Sequence, residues 1–315
     1  MNSFAKDVSE GLLSKPKYLL SKYFYDKLGD KIFQDIMNMK EYYPTDCEYE
    51  ILSNNKNSLL QLFSINDNAF NLVELGAGDG FKTKVLLKHF ISEQIDFTFI
   101  PIDISKNAIH KLVSNLQEQL PELRVDGWAN DYFEALKTLN KYESKKKVVL
   151  FLGSNIGNFK IDEAVFFLKK LANNLNKNDL LLIGFDLKKD PNIILEAYND
   201  KRGITKAFNL NLLRRINDEL GGNFNLTRFD HFPVYDPLSG SCKSYLISNK
   251  KQKVNISSLE ESFDFNLWEP IFMEVSQKYD LEMIQYLAEN SGFKIVQHFF
   301  DCKHYFVDTV WKLNT

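Results

Sequence analysis

Apolar and polar positions along the chain change their period three times. Over Lys31–Met39, Ile32, Phe33, Ile36 and Met37 recur at helical spacing. Pro44 then interrupts, and Thr45 is placed to cap a helix beginning at Asp46. From about residue 68, short apolar runs alternate with amphipathic ones. Strands are predicted at Asn71–Leu75, Phe97–Ile102, Val125–Ala129, Lys147–Leu152 and Leu180–Asp186. Helices are predicted between them at Thr83–Phe90, Ala108–Leu116 and Glu163–Leu175. Lys147–Leu152 is continuous and β-branched at its start, as in a strand buried on both faces. Such alternation predicts a parallel sheet with right-handed crossovers.

The alternation breaks at Lys188–Pro191. A mixed segment follows, with a helix around Asn209–Leu220, a Gly221–Gly222 stop, and strands at Thr227–Tyr235 and Lys243–Ser248. The earlier style then returns. Leu281–Asn290 is an amphipathic helix closed by Gly292, and Phe293–Phe300 with Phe306–Lys312 form a terminal strand pair. The predicted architecture is α/β, with a Rossmann-like domain at 60–187 plus 279–315. A second, α+β domain is assembled from 1–59 plus 188–278.

Composition changes this picture little. The chain has 315 residues, 44% of them hydrophobic, which suffices for a sizeable core and excludes wholesale disorder. A net charge of −3 lacks the basic footprint of a duplex-DNA binder. The run Lys145–Lys146–Lys147 reads as a solvated loop before a strand. Aromatic residues reach 14%, which suits either core filling or an aromatic-walled pocket. Three scattered cysteines and five histidines without ligand spacing suggest neither a disulfide framework nor a metal site. The N-terminal residues lack the apolar region of a secretory signal, and no apolar run approaches the length of a membrane span. The expectation is a cytoplasmic monomer that acts on a small molecule, not on nucleic acid or membrane.

Candidate chemistry gathers where strands end. Glu74-Leu75-Gly76-Ala77-Gly78-Asp79-Gly80 follows the first strand. Glycines there let a backbone approach a ligand, and the following helix N-terminus favours electron-rich groups. The dinucleotide fingerprint would need a glycine at position 81, which is Phe81. Asp103 ends the second strand, where an acid can accept both hydroxyls of a ribose. Asp131 and Tyr132 follow the third, where a carboxylate can meet an adenine amine and a ring can cover the base. The competing reading of Asp103 and Asp131 is as ordinary helix caps, and their place after consecutive strands favours the nucleoside. With no diphosphate fingerprint, the pattern points to a nucleoside ligand without phosphate, S-adenosylmethionine.

Longer motifs add a resemblance that spans nearly the whole chain. They are Tyr23-Phe24-Tyr25-Asp26, Lys31-Ile32-Phe33 and Glu41-Tyr42-Tyr43-Pro44-Thr45 with Glu48, then Glu74–Gly80 with Lys82-Thr83, and Phe151–Phe159. Further on come Ala197-Tyr198-Asn199-Asp200, Gly203-Ile204-Thr205, Phe208–Leu213, Glu274–Tyr279 and Tyr305–Asp308. Together they resemble the histidine-specific, S-adenosylmethionine-dependent Nα-methyltransferases of ergothioneine biosynthesis, which convert histidine to its betaine, hercynine. The resemblance implies a class I methyltransferase sheet, with S-adenosyl-L-homocysteine as the spent cofactor. It implies that Gly76, Gly78, Lys82, Asp103, Asp131 and Tyr132 line the cofactor site. Tyr25, Phe33, Tyr42, Gly153, Asn158, Glu274 and Ser276 are implied for the amino-acid site. Within it, Tyr42 and Asn158 would hold the backbone end, and Glu274 and Ser276 the imidazole.

Methyl transfer needs a neutral amine lone pair aimed at the methyl carbon. No strong base stands beside Asn158 in sequence, so proton loss to water relayed by Tyr25 is expected. Ser244 departs from the family, which commonly places a bulky apolar residue such as Met there. A serine leaves more room and a polar wall, which opens the alternative of tryptophan or another aromatic amine. The remaining alternatives are a protein side chain as substrate, a non-catalytic S-adenosylmethionine binder, and a dehydrogenase, which Phe81 disfavours.

Overall fold

The computed structural model describes residues 3–65, 69–142 and 145–314. Residues 1, 2, 66–68, 143, 144 and 315, which the predicted domain ranges include, lie outside the described residues. By internal contacts the chain divides into two units, 1–43 with 189–277 and 44–188 with 278–315.

The second unit is built on a seven-stranded sheet. In spatial order the strands are Phe293–Phe300, Phe306–Leu313, Leu180–Asp186, Lys146–Phe151, Ala69–Leu75, Asp96–Asp103 and Trp128–Ala129. All pairings from Leu180–Asp186 to Trp128–Ala129 are parallel. Phe306–Leu313 runs antiparallel to both its neighbours. Every residue of Lys146–Phe151 and of Leu180–Asp186 is buried, as expected for strands with helices on both faces. Chain order reverses between Ala69–Leu75 and Lys146–Phe151, so the crevice at their carboxyl ends is the sheet's switch point.

Three local expectations are corrected. The third predicted strand shrinks to Trp128–Ala129 plus a single bridge from Val125 to Phe99, because it is an edge with Gly127 in its interior. The helix at Pro44 is continuous, Tyr43–Phe63, with no break and no cap at Thr45. Proline in the first turn needs no N–H and has the right φ, so it starts the helix rather than stopping it. Residues 44–59 therefore belong with the sheet and not with the second domain. Phe63 at the end of this helix packs edge-on against Phe70 and Phe90.

The lysine run is also not a solvated loop. Lys146 and Lys147 lie inside the strand and are buried. The Lys146 ammonium donates to the Phe63 and Ile65 carbonyls, closing the end of helix Tyr43–Phe63. The Lys147 ammonium lies 2.6 Å from Asp179 Oδ2, with both side chains 1% exposed, and donates to Asn140. Asp179 also accepts the Lys147 and Asn176 N–H groups.

The first unit carries a four-stranded sheet in the order Lys17–Tyr18, Pro270–Gln277, Ser241–Ser248, Phe229–Asp236. A separate hairpin pairs Gln252–Ile256 with Glu261–Phe265. The long helix Ile204–Leu220 supplies Phe208, Leu212, Leu213 and Ile216 to a core shared with Phe24, Ile36, Leu246 and Ile271. Asp26 caps helix Lys27–Met37 by accepting the Gly29 N–H, and also accepts Asn211 Nδ2 of the long helix. One aspartate thus fixes both the start and the seating of the helix that carries Phe33.

The Lys147–Asp179 pair generates a stability prediction. Asp179→Ala strands an ammonium in the core and should cost about 3–5 kcal/mol by urea unfolding. Lys147→Met with Asp179→Asn, which removes both charges and keeps an amide oxygen for a backbone N–H, should recover much of that loss. A single-variant loss under about 1 kcal/mol would show that the ion pair is dispensable.

Candidate active site

In the sheet unit, the glycine loop leaves strand Ala69–Leu75 at the switch point. Gly76 has φ +74°, and a Cβ there would come 2.8 Å from the Tyr132 hydroxyl. Positive φ and the close tyrosine both require glycine at this position. Gly78 also has positive φ and is exposed. Asp103 ends its strand half-buried, and its Oδ1 accepts the Ser105 N–H. The cap of the following helix is Ser105, not Asp103, so the plain capping role does not account for Asp103. Burial raises the Asp103 pKa against the two N–H groups that lower it. Asp131, by contrast, does cap: its Oδ1 accepts the Phe133 and Glu134 N–H groups at the start of helix Tyr132–Tyr142. Burial, then the charges of Asp103, Asp131 and Glu74, push the Tyr132 hydroxyl up to about 12, so it stays protonated.

On the other side of the switch point, Gly153 follows strand Lys146–Phe151. Its N–H donates to both oxygens of Glu48, at 2.7 and 3.0 Å, and the Lys82 ammonium is paired with the same carboxylate. Gly153 has φ +76°, and Ser154 after it takes the left-handed conformation at φ +53°. This double twist turns the chain into the 3-10 turn Asn155–Asn158, which leaves Asn158 exposed. The turn is pinned from beneath. Tyr279 donates its hydroxyl to the Ile156 carbonyl at 3.1 Å, and the Asp186 N–H donates to Ser154 Oγ. Lys278 beside Tyr279 pairs with Asp186 at 2.7 Å, both fully buried.

The other expected amino-acid-site residues lie in the first unit. Glu274 and Ser276 share a face of strand Pro270–Gln277, and their cross-strand partners are Ser244 and Cys242. The pairing shifts register between Phe272 and Glu274. That bulge puts Glu274 opposite the buried Ser244; unshifted pairing would have set it opposite Lys243. Ser276 Oγ lies 2.8 Å from the Tyr198 hydroxyl, and the Tyr198 ring meets Tyr42 edge-on. Tyr25 and Phe33 form a second group, each packed against the other and against Phe208. The structure thus brings Tyr42, Ser244, Glu274 and Ser276 into one row and Tyr25 with Phe33 into another. Tyr198 joins the first row without having been singled out; its motif, Ala197–Asp200, was the available signal. Tyr279 and Glu48 were likewise given no role, although both fall inside quoted motifs.

With this geometry in view, comparison with known proteins is specific. A family model described as histidine-specific methyltransferase, SAM-dependent, matches residues 4–313. The histidine N-alpha-methyltransferase of Mycolicibacterium smegmatis is 33% identical over 285 residues, covering 90% of this chain and 87% of that one. The enzyme of the same name from Mycobacterium tuberculosis is 32% identical, over 87% of this chain and 84% of that one. An L-tryptophan methyltransferase of Psilocybe serbica is 28% identical, over 88% of this chain and 84% of that one.

Beneath the glycine loop, Glu74 is 4% exposed and accepts the Thr83 hydroxyl at 2.6 Å. Burial, which outweighs Thr83 and the Lys82 charge, raises its carboxyl to about 8. The folded state therefore keeps a proton that the unfolded chain releases near the ordinary glutamate range. This term makes stability fall as pH climbs from about 4.5 towards about 8, and it levels off above. Glu74→Gln keeps the acceptor for Thr83 and removes the titration. The variant should gain on the parent by roughly 1–4 kcal/mol between pH 5 and pH 9 in urea unfolding. An identical difference at both pH values would rule this account out.

Proposed function

The chain belongs to the family of histidine-specific, S-adenosylmethionine-dependent methyltransferases, and on that premise we propose that it methylates the α-amine of free L-histidine three times, giving hercynine. Each transfer is an in-line displacement. The amine lone pair forms the N–C bond while the methyl–sulfur bond breaks, and the sulfonium becomes the neutral thioether of S-adenosyl-L-homocysteine. The attacking nitrogen must be neutral, so one proton leaves before each transfer and three leave in all. Binding energy is spent on aiming the nitrogen.

The residues divide this work as follows. Gly76, Gly78, Lys82, Asp103, Asp131 and Tyr132 hold the cofactor, with Asp103 on the ribose hydroxyls. Tyr132 is the covering ring. Asn158, with Gly153, and Tyr42 hold the amine and carboxylate of the amino acid. Tyr25, against Phe33, relays the departing proton to water.

The observation that carries the choice of histidine is the row Glu274–Ser276–Tyr198. A carboxylate accepts from one imidazole N–H, and a hydroxyl serves the other ring nitrogen. Tyr198, bonded to Ser276, orients that hydroxyl. An indole has one N–H and no acceptor nitrogen, so it would use half of this row. The buried Ser244 opposite Glu274 favours a second reading, in which the enlarged wall admits a larger aromatic amino acid.

The deciding experiment incubates the purified protein with S-adenosylmethionine and an equimolar mixture of free amino acids, with products read by mass spectrometry. Trimethylated histidine alone is expected; a methylated tryptophan in its place would select the second reading. Glu274→Ala should lower kcat/KM for histidine by about a hundredfold, the worth of about 2.7 kcal/mol, while S-adenosylmethionine affinity stays within about threefold. Equal loss of both would make Glu274 a structural residue. Tyr25→Phe should depress turnover most at low pH, where the amine is most protonated; unchanged turnover at every pH would remove the relay.

A further inference from the structure

Three carboxyls and one ammonium meet under the switch point of the sheet unit. Glu48 comes from helix Tyr43–Phe63, Asp308 from strand Phe306–Leu313, Glu74 from strand Ala69–Leu75, and Lys82 from the end of the glycine loop. The three acids are 0–4% exposed. Gly184, the cross-strand partner of Asp308, makes room for them. A Cβ at Gly184 would collide with Glu48 Oε1 and approach Asp308 Oδ1 to 3.0 Å, so the two carboxyls converge over the same glycine.

One cation cannot neutralise three buried acids, and each uncompensated charge costs several kcal/mol. The hydrogen bonds say which acid is ionised. Glu48 accepts from two donors, the Gly153 N–H shared between both its oxygens and the Lys82 ammonium on one of them. Both Asp308 oxygens are buried without a donor. Two carboxyls this close bond only if one of them brings the proton, and Asp308 is the one with nothing to accept. Burial and the Glu48 charge, opposed by Lys82, set its carboxyl well above the ordinary range. Burial is the largest single influence on Lys82 and lowers its pKa, but the Glu48 charge and hydrogen bond, with the neighbouring acids, together outweigh it, so the ammonium stays charged.

We infer that Glu48 is a positioning residue for methyl transfer and that Asp308 serves it as a proton-bearing donor. One carboxylate holds the N–H that opens the Gly153–Asn158 turn and the ammonium that closes the glycine loop. Those two segments carry the proposed amine-holding and cofactor-holding residues, so Glu48 fixes the distance between them. The protonated Asp308 shares Glu48 Oε1, the oxygen that Lys82 does not take, without adding charge. This inference rests on the proposed function for its kinetic readout, not for its binding readout.

The test compares wild type, Glu48→Gln, Asp308→Asn and Asp308→Leu. S-adenosylmethionine affinity is read by calorimetry, and kcat and KM with histidine by steady-state assay. Thermal unfolding by circular dichroism checks that each variant is folded. Glu48→Gln should lower kcat by about a hundredfold, as a misplacement near 1 Å does, with a smaller rise in KM for histidine. Asp308→Leu, which keeps the bulk and loses the donor, should lower kcat and cofactor affinity each by about tenfold. Asp308→Asn restores an N–H donor and should recover most of both losses. Equal loss in the Asn and Leu variants overturns the shared proton. Unchanged kcat in Glu48→Gln overturns the positioning role, and should that variant fail to fold, the Asp308 pair still decides. A wild type that binds S-adenosylmethionine but leaves histidine unmethylated overturns the substrate reading alone, because calorimetry still separates Asn from Leu.

Discussion

A parallel sheet covered on both faces can receive a ligand only at its carboxyl ends. The rest of the sheet unit follows from that constraint. Strands Lys146–Phe151 and Leu180–Asp186 are buried along their whole length, so their interiors hold packing and their ends hold chemistry. The order reverses between Ala69–Leu75 and Lys146–Phe151, which splays the following loops and opens a crevice. Both segments that leave this crevice begin with a glycine in the left-handed region, Gly76 on one side and Gly153 on the other. A side chain would strain both positions, and at Gly76 it would also meet the Tyr132 hydroxyl. The loops are sharp because the strands they leave are too well packed to bend.

The same constraint forces charge into the interior. Loops that must be rigid need partners beneath them, and what lies beneath is the end of a buried sheet. The partners are therefore buried polar groups held near neutrality: Glu48 with Lys82, Lys278 with Asp186, and the carboxyls of Glu74 and Asp308, whose burial holds their protons. Each is poor value as stability, because desolvation cancels most of the attraction. Their worth lies in direction. A carboxylate that accepts a particular N–H, such as Gly153, has one low-energy arrangement, whereas an apolar plug would tolerate several. Lys147 with Asp179, far from the loops, shows the arrangement used for anchoring alone.

Much of the sheet was legible because its signals are local. Leu180–Asp186 shows as a strand from apolar continuity, and its observed bounds are the expected ones. Helix Leu281–Ser291 shows from its period and its Gly292 stop. What escaped depends on partners distant in sequence. Lys146 and Lys147 look like solvent residues until Phe63, Asn140 and Asp179 are brought beside them. Pro44 looks like a breaker because a proline inside a helix and one in its first turn differ only in where the helix begins. Asp103 and Asp131 looked equivalent as acids after strands. Only coordinates separate Asp103, displaced from capping by Ser105, from Asp131, which caps. The resemblance drew attention to motifs, yet it assigned no role to Tyr198, Glu48 or Tyr279, whose parts are defined by hydrogen bonds across 78, 105 and 123 residues of sequence.

The row on strand Pro270–Gln277 shows how one irregularity can decide which side chains meet. Alternation along Pro270–Gln277 from Phe272, which pairs with Tyr245, would place residue 273 opposite Ser244 and Glu274 opposite Lys243. The bulge inserts one residue, shifts the parity, and sets Glu274 and Ser276, which share a face, opposite Ser244 and Cys242. The acid that would read an imidazole thus reaches its partners through backbone geometry, not through a change of residue. Once the parity is set, the face is written by cross-strand pairs: Glu274 with Ser244, and Ser276 with Cys242 and, by hydrogen bond, Tyr198. The Ser276–Tyr198 end is tied down on both sides and has little freedom to change. Ser244 sits at the other end, opposite the carboxylate, and is the position at which the row can be widened without disturbing the hydroxyl pair. A change of side-chain size at Ser244 would therefore be felt by Glu274 first and by the Ser276–Tyr198 pair last.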